Sequence, residues 1–149
     1  MALQSQKARE IVFQLLYGLT IGKSDTEEEL IKLLMHECKV TRNNVLEALV
    51  RAKKVEENQA ACDALIDKAS REFSVDRIQS VERTILRLAI FELALEKTIP
   101  PNVVFAEAKR LAKKFATAEA ASFVQGVLSA VADTIGLGKI PVEDTDSTT

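Results

Sequence analysis

The hydrophobic pattern of the chain centres on the stretch from Asp76 to Lys97, which predicts one helix that is apolar almost all round. A helix with so little polar surface has to be surrounded by protein. At about 100° per residue, its polar positions Ser80, Arg83 and Arg87 share one narrow arc. The apolar positions of this helix are Val81, Ile85, Leu86, Leu88, Ala89, Ile90, Phe91, Leu93, Ala94 and Leu95.

Glu92 is the exception within that apolar surface, because the helical projection places it beside Val81 and Leu88. We expect its carboxylate to be buried, and a buried charge costs free energy unless it is hydrogen-bonded or paired. The nearest predicted set of free amides is the start of the helix that follows Pro100 and Pro101. The pattern therefore predicts a buried structural carboxylate at Glu92 and not a catalytic acid.

Two amphipathic helices are predicted near the amino terminus. The first ends near residues 18–22, and the second begins with a capping box formed by Ser24 with Glu27 or by Asp25 with Glu28. The stretch from Thr41 to Phe73 contains neither Gly nor Pro, which predicts one long helix bent near residues 56–59. The apolar stripe of the first helix is Ala8, Ile11, Val12, Leu15, Leu16 and Leu19, and that of the second is Leu30, Leu33, Leu34 and Cys38.

Two more helices are predicted after the central one. The first follows the two prolines and carries the stripe Val104, Ala108, Leu111 and Phe115. The last begins at Thr117 or Ala118, and its buried stripe is Phe123, Val124, Val127, Leu128, Val131 and Ile135. Gly126 interrupts it at a cost of about 1 kcal/mol relative to Ala, so we expect close approach of another backbone or a ligand there.

Composition supports an all-α fold. The 149 residues are 47% hydrophobic, which suffices for one domain with a real core, and they include only 5 Gly, 3 Pro, 1 Tyr and no Trp. We predict a single domain of about six to seven helices over residues 1–136, followed by a disordered acidic tail over 137–149. The formal net charge of −2 supplies no general attraction for nucleic acid.

Candidate chemistry is sparse. There is one His, no Gly-rich phosphate loop and no nucleophile elbow, so we expect neither an enzyme nor a cofactor or metal site. Cys38 and Cys62 are too few for a disulfide framework, which favours a reducing cytoplasm. The apolar run after Lys7 and Arg9 resembles a signal peptide only superficially, since Glu10 interrupts it, and no apolar run reaches the roughly 20 residues that span a membrane.

Two surface features leave alternatives open. Phe13 and Tyr17 lie off the stripe of the first helix, where either a second element of the fold covers them or a partner protein does. The helix after the prolines has a basic back, which serves either solubility alone or contact with nucleic acid. That back consists of Lys109, Arg110, Lys113 and Lys114 beside the single Glu107.

Several short segments along the chain match the sequence pattern of a known protein family. Each segment is a weak signal by itself, but their combined spacing is specific. They are Lys7-Ala8-Arg9-Glu10 with Gln14, Leu16 and Tyr17, Val81-Glu82-Arg83 with Leu86-Arg87 and Glu92-Leu93, Ile99-Pro100, Glu107-Ala108, Leu111-Ala112-Lys113 with Phe115, and Phe123-Val124 with Gly126-Val127-Leu128. With them the chain resembles the NusB family of transcription antitermination factors, over essentially all of its length except residues 24–57 and the tail.

The resemblance implies an all-helical domain made of two packed helical subbundles. It implies binding of boxA-type RNA of the ribosomal RNA leader, together with the ribosomal protein NusE, within a transcription elongation complex. The implied protein-binding positions are Tyr17 and Glu82, with Phe13 as an extension. The implied RNA-binding positions are Lys7, Arg9, Lys113, Ser122 and Gln125.

This sequence departs from the family at the RNA-binding positions. The family's amino terminus is typically rich in Arg, whereas only Lys7 and Arg9 stand here. Where the family commonly has Lys, Asn and Asp on the outer face of the last helix, this chain has Ser122, Gln125 and Ser129. Each lost phosphate contact removes a counterion-release contribution, so we expect weaker RNA binding. The alternative is a helical protein-interaction module or homodimer with weak or lost RNA binding.

Overall fold

A computed structural model of the chain describes residues 4–21, 26–70, 72 and 74–137. The described residues form seven α-helices, one 3₁₀ turn over Val75–Arg77 and one π-helical segment over Phe91–Glu96, with no strand among them. This confirms the predicted all-α class. The helices are α1 Ser5–Ile21, α2 Glu27–Cys38, α3 Arg42–Glu57, α4 Gln59–Ala69, α5 Ser80–Ile90, α6 Pro101–Phe115 and α7 Ala118–Thr134. The predicted disordered tail lies outside the described residues except for Leu137.

The chain divides into two compact units, residues 1–59 and 60–149. In the first unit α1 packs against α3 and α2, and α2 packs against α3. The predicted stripe of α1 supplies much of the buried surface, because Ile11, Leu15 and Leu16 are almost inaccessible to solvent. The other helices add Ile31, Leu34, Val45, Ala48, Leu49, Ala52 and Val55.

Helix α2 begins two residues later than the capping box predicted at Ser24 and one residue later than the box predicted at Asp25. Its N-cap is Thr26, whose hydroxyl accepts from the Glu29 backbone amide at 3.1 Å while the Glu29 carboxylate accepts from the Thr26 amide at 3.1 Å. The predicted pairs were wrong because Thr26 and Glu29 satisfy the same spacing. Ser24 and Asp25 lie outside the described residues. Helix α2 ends at Lys39, which is left-handed with φ 55°, and α3 begins with a second capping box between Thr41 and Asn44.

The long helix predicted from Thr41 is in fact two helices. They are separated at Asn58, whose side-chain Nδ2 donates to the Lys54 carbonyl oxygen at 2.7 Å. An Asn side chain that bonds nearby backbone groups competes with the helical hydrogen-bond ladder. The absence of Gly and Pro from this stretch therefore did not guarantee a continuous helix.

In the second unit α5 lies at the centre, packed against α6 and α7, which also pack against each other. Every residue from Thr84 to Leu93 is buried, as the apolar circumference of this helix predicted. The helix begins only at Ser80, after the 3₁₀ turn, and continues as the π-helical segment. Arg83 stabilises that turn, since its Nη1 donates to the carbonyl oxygens of Val75 at 3.4 Å and Ile78 at 3.3 Å.

The π-helical segment changes the helical register. Its hydrogen bonds span five residues, as shown by the Lys97 amide that donates to the Glu92 carbonyl oxygen at 3.0 Å. Leu95, which a continuous α-helix would place on the apolar surface, is 40% exposed. Its expected burial was therefore wrong, and a left-handed Lys97 with φ 61° ends the segment.

Glu92 lies at the start of this segment and is only 2% exposed. The segment packs against α6, whose N-cap Pro100 provides no side-chain hydrogen bond to the first turn. We predict that Glu92→Ala lowers the free energy of unfolding by about 1–3 kcal/mol, because donors in the core lose their acceptor. Chemical denaturation measures this, with Glu92→Gln as the control that keeps an acceptor and loses less. An unchanged midpoint for Glu92→Ala would contradict the structural role.

Candidate functional site

The amino-terminal turn of α1 concentrates positive charge. Lys7 in the first turn and Arg9 just after it are both half-buried; the first turn contains no acidic residue, and the buried Glu10 follows Arg9. Since a helix amino terminus carries a partial positive charge, the two side chains add to a field that favours anions. The structure thus keeps both predicted RNA-binding cations at the same end of one helix.

The face of α1 that carries Phe13 and Tyr17 is buried at Phe13 and partly exposed to solvent at Tyr17. Phe13 is 3% exposed, whereas Tyr17, one turn later, is half-buried. The two rings lie 6.1 Å apart between centroids, at 33° between planes. Among the described residues no side chain or backbone group is hydrogen-bonded to the Tyr17 hydroxyl. Phe13 therefore belongs to the core, whereas part of the Tyr17 side chain is accessible to solvent.

Glu82 lies in the first turn of α5 and is half-buried. In the described part of the chain no hydrogen bond or ion pair engages its carboxylate. Burial raises the pKa of Glu82 above its ordinary value. A carboxylate that is partly desolvated without a compensating cation is a group that a basic partner would stabilise.

The basic back of α6 is partly compensated within the helix. Arg110 makes two hydrogen bonds to Glu107, at 2.9 and 3.0 Å, and Glu107 is buried. The Lys114 ammonium lies 5.8 Å from the centroid of the Phe115 ring. Lys113 is exposed on this surface. The local basic charge is therefore smaller than a count of cations in the sequence indicates.

The predicted residues on α7 differ in how they are presented. Ser122 is exposed, whereas Gln125 is half-buried and donates from Nε2 to the Phe105 carbonyl oxygen at 2.9 Å. The Gln125 Oε1 atom is buried and has no hydrogen-bond partner within the described ranges. A direct RNA contact by Gln125 would require its side chain to leave this hydrogen bond.

The close backbone approach expected at Gly126 is absent from the described structure. Gly126 is exposed, and a Cβ atom added there would meet nothing within 4 Å. The expectation of tight backbone packing was wrong because this part of α7 faces outward. Gly126 instead borders a groove between α7 and the end of α4.

An ion pair between the buried Arg87 and the half-buried Asp63 supports the central helix, and the sequence pattern did not reveal it. The Arg87 guanidinium donates twice to the Asp63 carboxylate, with both distances 2.8 Å. Beside it the Cys62 thiol donates to the Arg87 carbonyl oxygen at 3.6 Å, and burial raises the pKa of Cys62 to about 12. Arg87 belonged to the predicted polar arc, but its partner lies in α4, 24 residues away.

Neither a metal-binding cluster nor a membrane-spanning helix is found in the described ranges. No group of three or more His, Cys, Asp or Glu side chains there could hold a metal ion. No helix there is both long and apolar enough to cross a membrane.

The described residues place the protein in the class of all-helical domains. The model of the NusB family matches residues 6–133. The chain therefore belongs to the NusB family.

Named relatives and solved structures agree. The transcription antitermination protein NusB of Chlamydia pneumoniae is 39% identical over 124 residues, which cover 83% of this chain and 77% of that protein. A crystal structure of the antitermination factors NusB and NusE in complex with double-stranded RNA matches with a TM-score of 0.72 at 29% identity, covering 87% of this chain and 96% of that one. A structure of T. maritima NusB matches with a TM-score of 0.73 at 30% identity, covering 89% of this chain and 93% of that chain.

Proposed function

We propose that this protein is a transcription antitermination factor that binds boxA-type leader RNA of ribosomal RNA operons together with NusE. The observation that carries the proposal is the similarity over 87% of the chain to a NusB protein in complex with NusE and RNA. Assembly into the transcription elongation complex and a cytoplasmic location are part of the proposal. The role is that of a binding factor and not of an enzyme.

For RNA, the proposal rests on Lys7 and Arg9, with Lys113 and Ser122 assisting. The two amino-terminal cations supply counterion release, and the exposed Ser122 hydroxyl can donate to or accept from RNA. Gln125 belongs to this set in a supporting role, because its amide holds the backbone of α6 against α7. A site with so few cations binds RNA weakly and with strong dependence on salt.

For NusE, the proposal rests on Tyr17 and Glu82. Each is half-buried in the free chain, and neither has a side-chain hydrogen bond to another described residue. A partly accessible tyrosine is a typical interface anchor, and a carboxylate without a counter-ion suits a basic ribosomal protein. Phe13 contributes from the core, beneath Tyr17.

The RNA part predicts that Lys7→Ala with Arg9→Ala weakens boxA binding and reduces its salt dependence. Two lost phosphate contacts should reduce the slope of log affinity against log salt by roughly 1 to 2. Fluorescence anisotropy across a salt series, with and without NusE, measures both quantities. Lys53→Ala with Lys54→Ala on α3 is the matched control for charge and should leave the slope intact. An unchanged slope in the Lys7 and Arg9 variant would remove these residues from the RNA site.

A second candidate function is a helical protein-interaction module or homodimer with weak or lost RNA binding. It is favoured by α7, which contains no Lys or Arg and whose Gln125 amide is engaged within the fold. The same titration separates the two functions. NusE binding with no RNA affinity in either its presence or its absence would support the second, and the mass of the free protein in solution would establish a dimer.

A further inference from the structure

The 3₁₀ turn that precedes α5 is held from two helices at one residue, Val75. The Asp67 carboxylate, in the last turn of α4, accepts a hydrogen bond at Oδ1 from the Val75 amide at 3.3 Å. The Arg83 guanidinium, near the start of α5, donates to the Val75 carbonyl oxygen at 3.4 Å and to the Ile78 carbonyl oxygen at 3.3 Å. We call Asp67, Val75 and Arg83 the Val75 clamp.

The ends of this segment have no capping side chains of their own. Within the described residues, neither Ser74 at the start of the 3₁₀ turn nor Gln79 at the start of α5 makes a side-chain capping hydrogen bond. A helix whose N-cap side chain satisfies none of the free amides is less firmly fixed in its first turn. The side-chain hydrogen bonds of the Val75 clamp therefore have to hold the backbone that leads into α5.

Glu82 depends on that backbone. It lies in the first turn of α5, three residues after Gln79 and directly before Arg83. Its carboxylate has no hydrogen bond or ion pair to another described residue, so the backbone of the first turn decides where it points. A binding side chain of this kind needs supporting residues that keep it in the productive geometry.

We infer that Asp67 and Arg83 are positioning residues for NusE binding, because their hydrogen bonds to Val75 fix the start of α5 and so direct the Glu82 carboxylate at the partner. The inference rests on the proposed function, in which Glu82 belongs to the NusE surface. It assigns neither Asp67 nor Arg83 a direct contact with NusE.

The test compares variants that break the clamp with variants that change only charge. Asp67→Ala removes the acceptor, whereas Asp67→Asn removes the charge and keeps an oxygen at the same place. Arg83→Ala removes the donor, and Arg77→Ala is its matched control, since the exposed Arg77 side chain makes no hydrogen bond to another described residue. NusE affinity is measured by calorimetric titration, and thermal unfolding shows that each variant is folded.

Amide hydrogen exchange in the free protein reports on the turn itself. The Ile78 amide donates to the Val75 carbonyl oxygen at 3.1 Å, so its exchange rate rises when the turn opens. We expect faster exchange at Ile78 in Asp67→Ala and Arg83→Ala, and an unchanged rate in Asp67→Asn and Arg77→Ala. This measurement needs no partner.

The clamp hydrogen bonds are long, so each should have a modest effect on binding. We expect Asp67→Ala and Arg83→Ala each to bind NusE about fivefold more weakly, while both charge controls bind normally. In a Glu82→Gln background the further loss from Arg83→Ala should be less than about twofold, because a residue that acts through Glu82 has little effect once that carboxylate is gone. A residue that only stabilises the fold would not depend on Glu82 in this way.

Three results would overturn the inference while leaving the proposed function intact. One is a full fivefold loss from Arg83→Ala in the Glu82→Gln background, which would make Arg83 a direct contact. Another is normal NusE affinity in Asp67→Ala. The third is an equal loss in Asp67→Ala and Asp67→Asn, which would make charge and not the hydrogen bond the cause. Failure of the unchanged protein to bind NusE would instead overturn the proposed function, and the inference with it.

Discussion

Asp63→Ala should lower the free energy of unfolding by about 3–5 kcal/mol, the largest loss that we expect from one polar side chain in this protein. The Asp63 carboxylate, whose side chain is 24% exposed, accepts two hydrogen bonds from Arg87, whose side chain is only 10% exposed. Removing it leaves a guanidinium inside the second unit without its counter-ion. Chemical denaturation followed by circular dichroism measures the change.

The exposed ion pair between Arg42 and Glu28 provides the control. Its geometry is as good, with two hydrogen bonds of 2.6 and 2.7 Å, but its side chains are 46% and 47% exposed. Because solvent screens such a pair, Glu28→Ala should cost far less stability than Asp63→Ala. Replacing both partners of the Arg87 pair, Asp63→Leu with Arg87→Met, should recover much of the loss. Equal costs for Asp63→Ala and Glu28→Ala would show that burial of the Arg87 pair is energetically unimportant.

Glu82→Lys should weaken NusE binding by roughly 100-fold, because it places a cation where the proposal puts a basic partner. The free protein should not lose stability when the charge is removed. Burial raises the pKa of Glu82, so the stabilisation from its neutral form is present below its ordinary value of 4.5 and is lost as the pH rises through the raised pKa. At neutral pH Glu82→Gln should therefore be at least as stable as the unchanged protein and still bind NusE more weakly.

Tyr17 and Phe13 provide an internal comparison on the same helix face. Tyr17→Ala should reduce NusE affinity about 30-fold in a protein that remains folded. Phe13→Ala should instead destabilise the fold by about 3–5 kcal/mol, because that ring is buried. Calorimetric titration and thermal unfolding of both variants measure the two effects. Normal NusE affinity in folded Tyr17→Ala and Glu82→Lys proteins would remove both residues from the proposed role.

Most helices could be predicted because the sequence encodes them locally. The stripe that begins at Ala8 and the apolar circumference around Ile85 can be recognised without knowledge of distant residues. The errors have other origins. The break at Asn58 depends on a side-chain hydrogen bond with no Gly or Pro to mark it, and the exposure of Leu95 follows from a π-helical segment whose register an ideal helical projection does not represent.

The candidate site was predictable only in part. Projection showed that Phe13 and Tyr17 share a face of α1, but not that one would be buried and the other half-exposed. The hydrophobic pattern placed Arg87 on a polar arc of α5 but could not predict its ion pair with Asp63, because tertiary packing forms that pair. Gln125 is similar, since its bond to the Phe105 carbonyl oxygen depends on the contact between α6 and α7.

The paired capping boxes at Thr26 and Thr41 bear on how the chain folds. Each box fixes a helix start through residues three apart in sequence, and the left-handed Lys39 ends the first helix between them. The α2–α3 hairpin thus combines locally encoded boundaries with contacts of short sequence separation, which are the contacts that form early in folding. If the hairpin belongs to the folding nucleus, weakening either cap slows folding more than it speeds unfolding. The α2–α3 hairpin would then determine the folding rate of the protein, although the proposed ligand contacts lie on other helices.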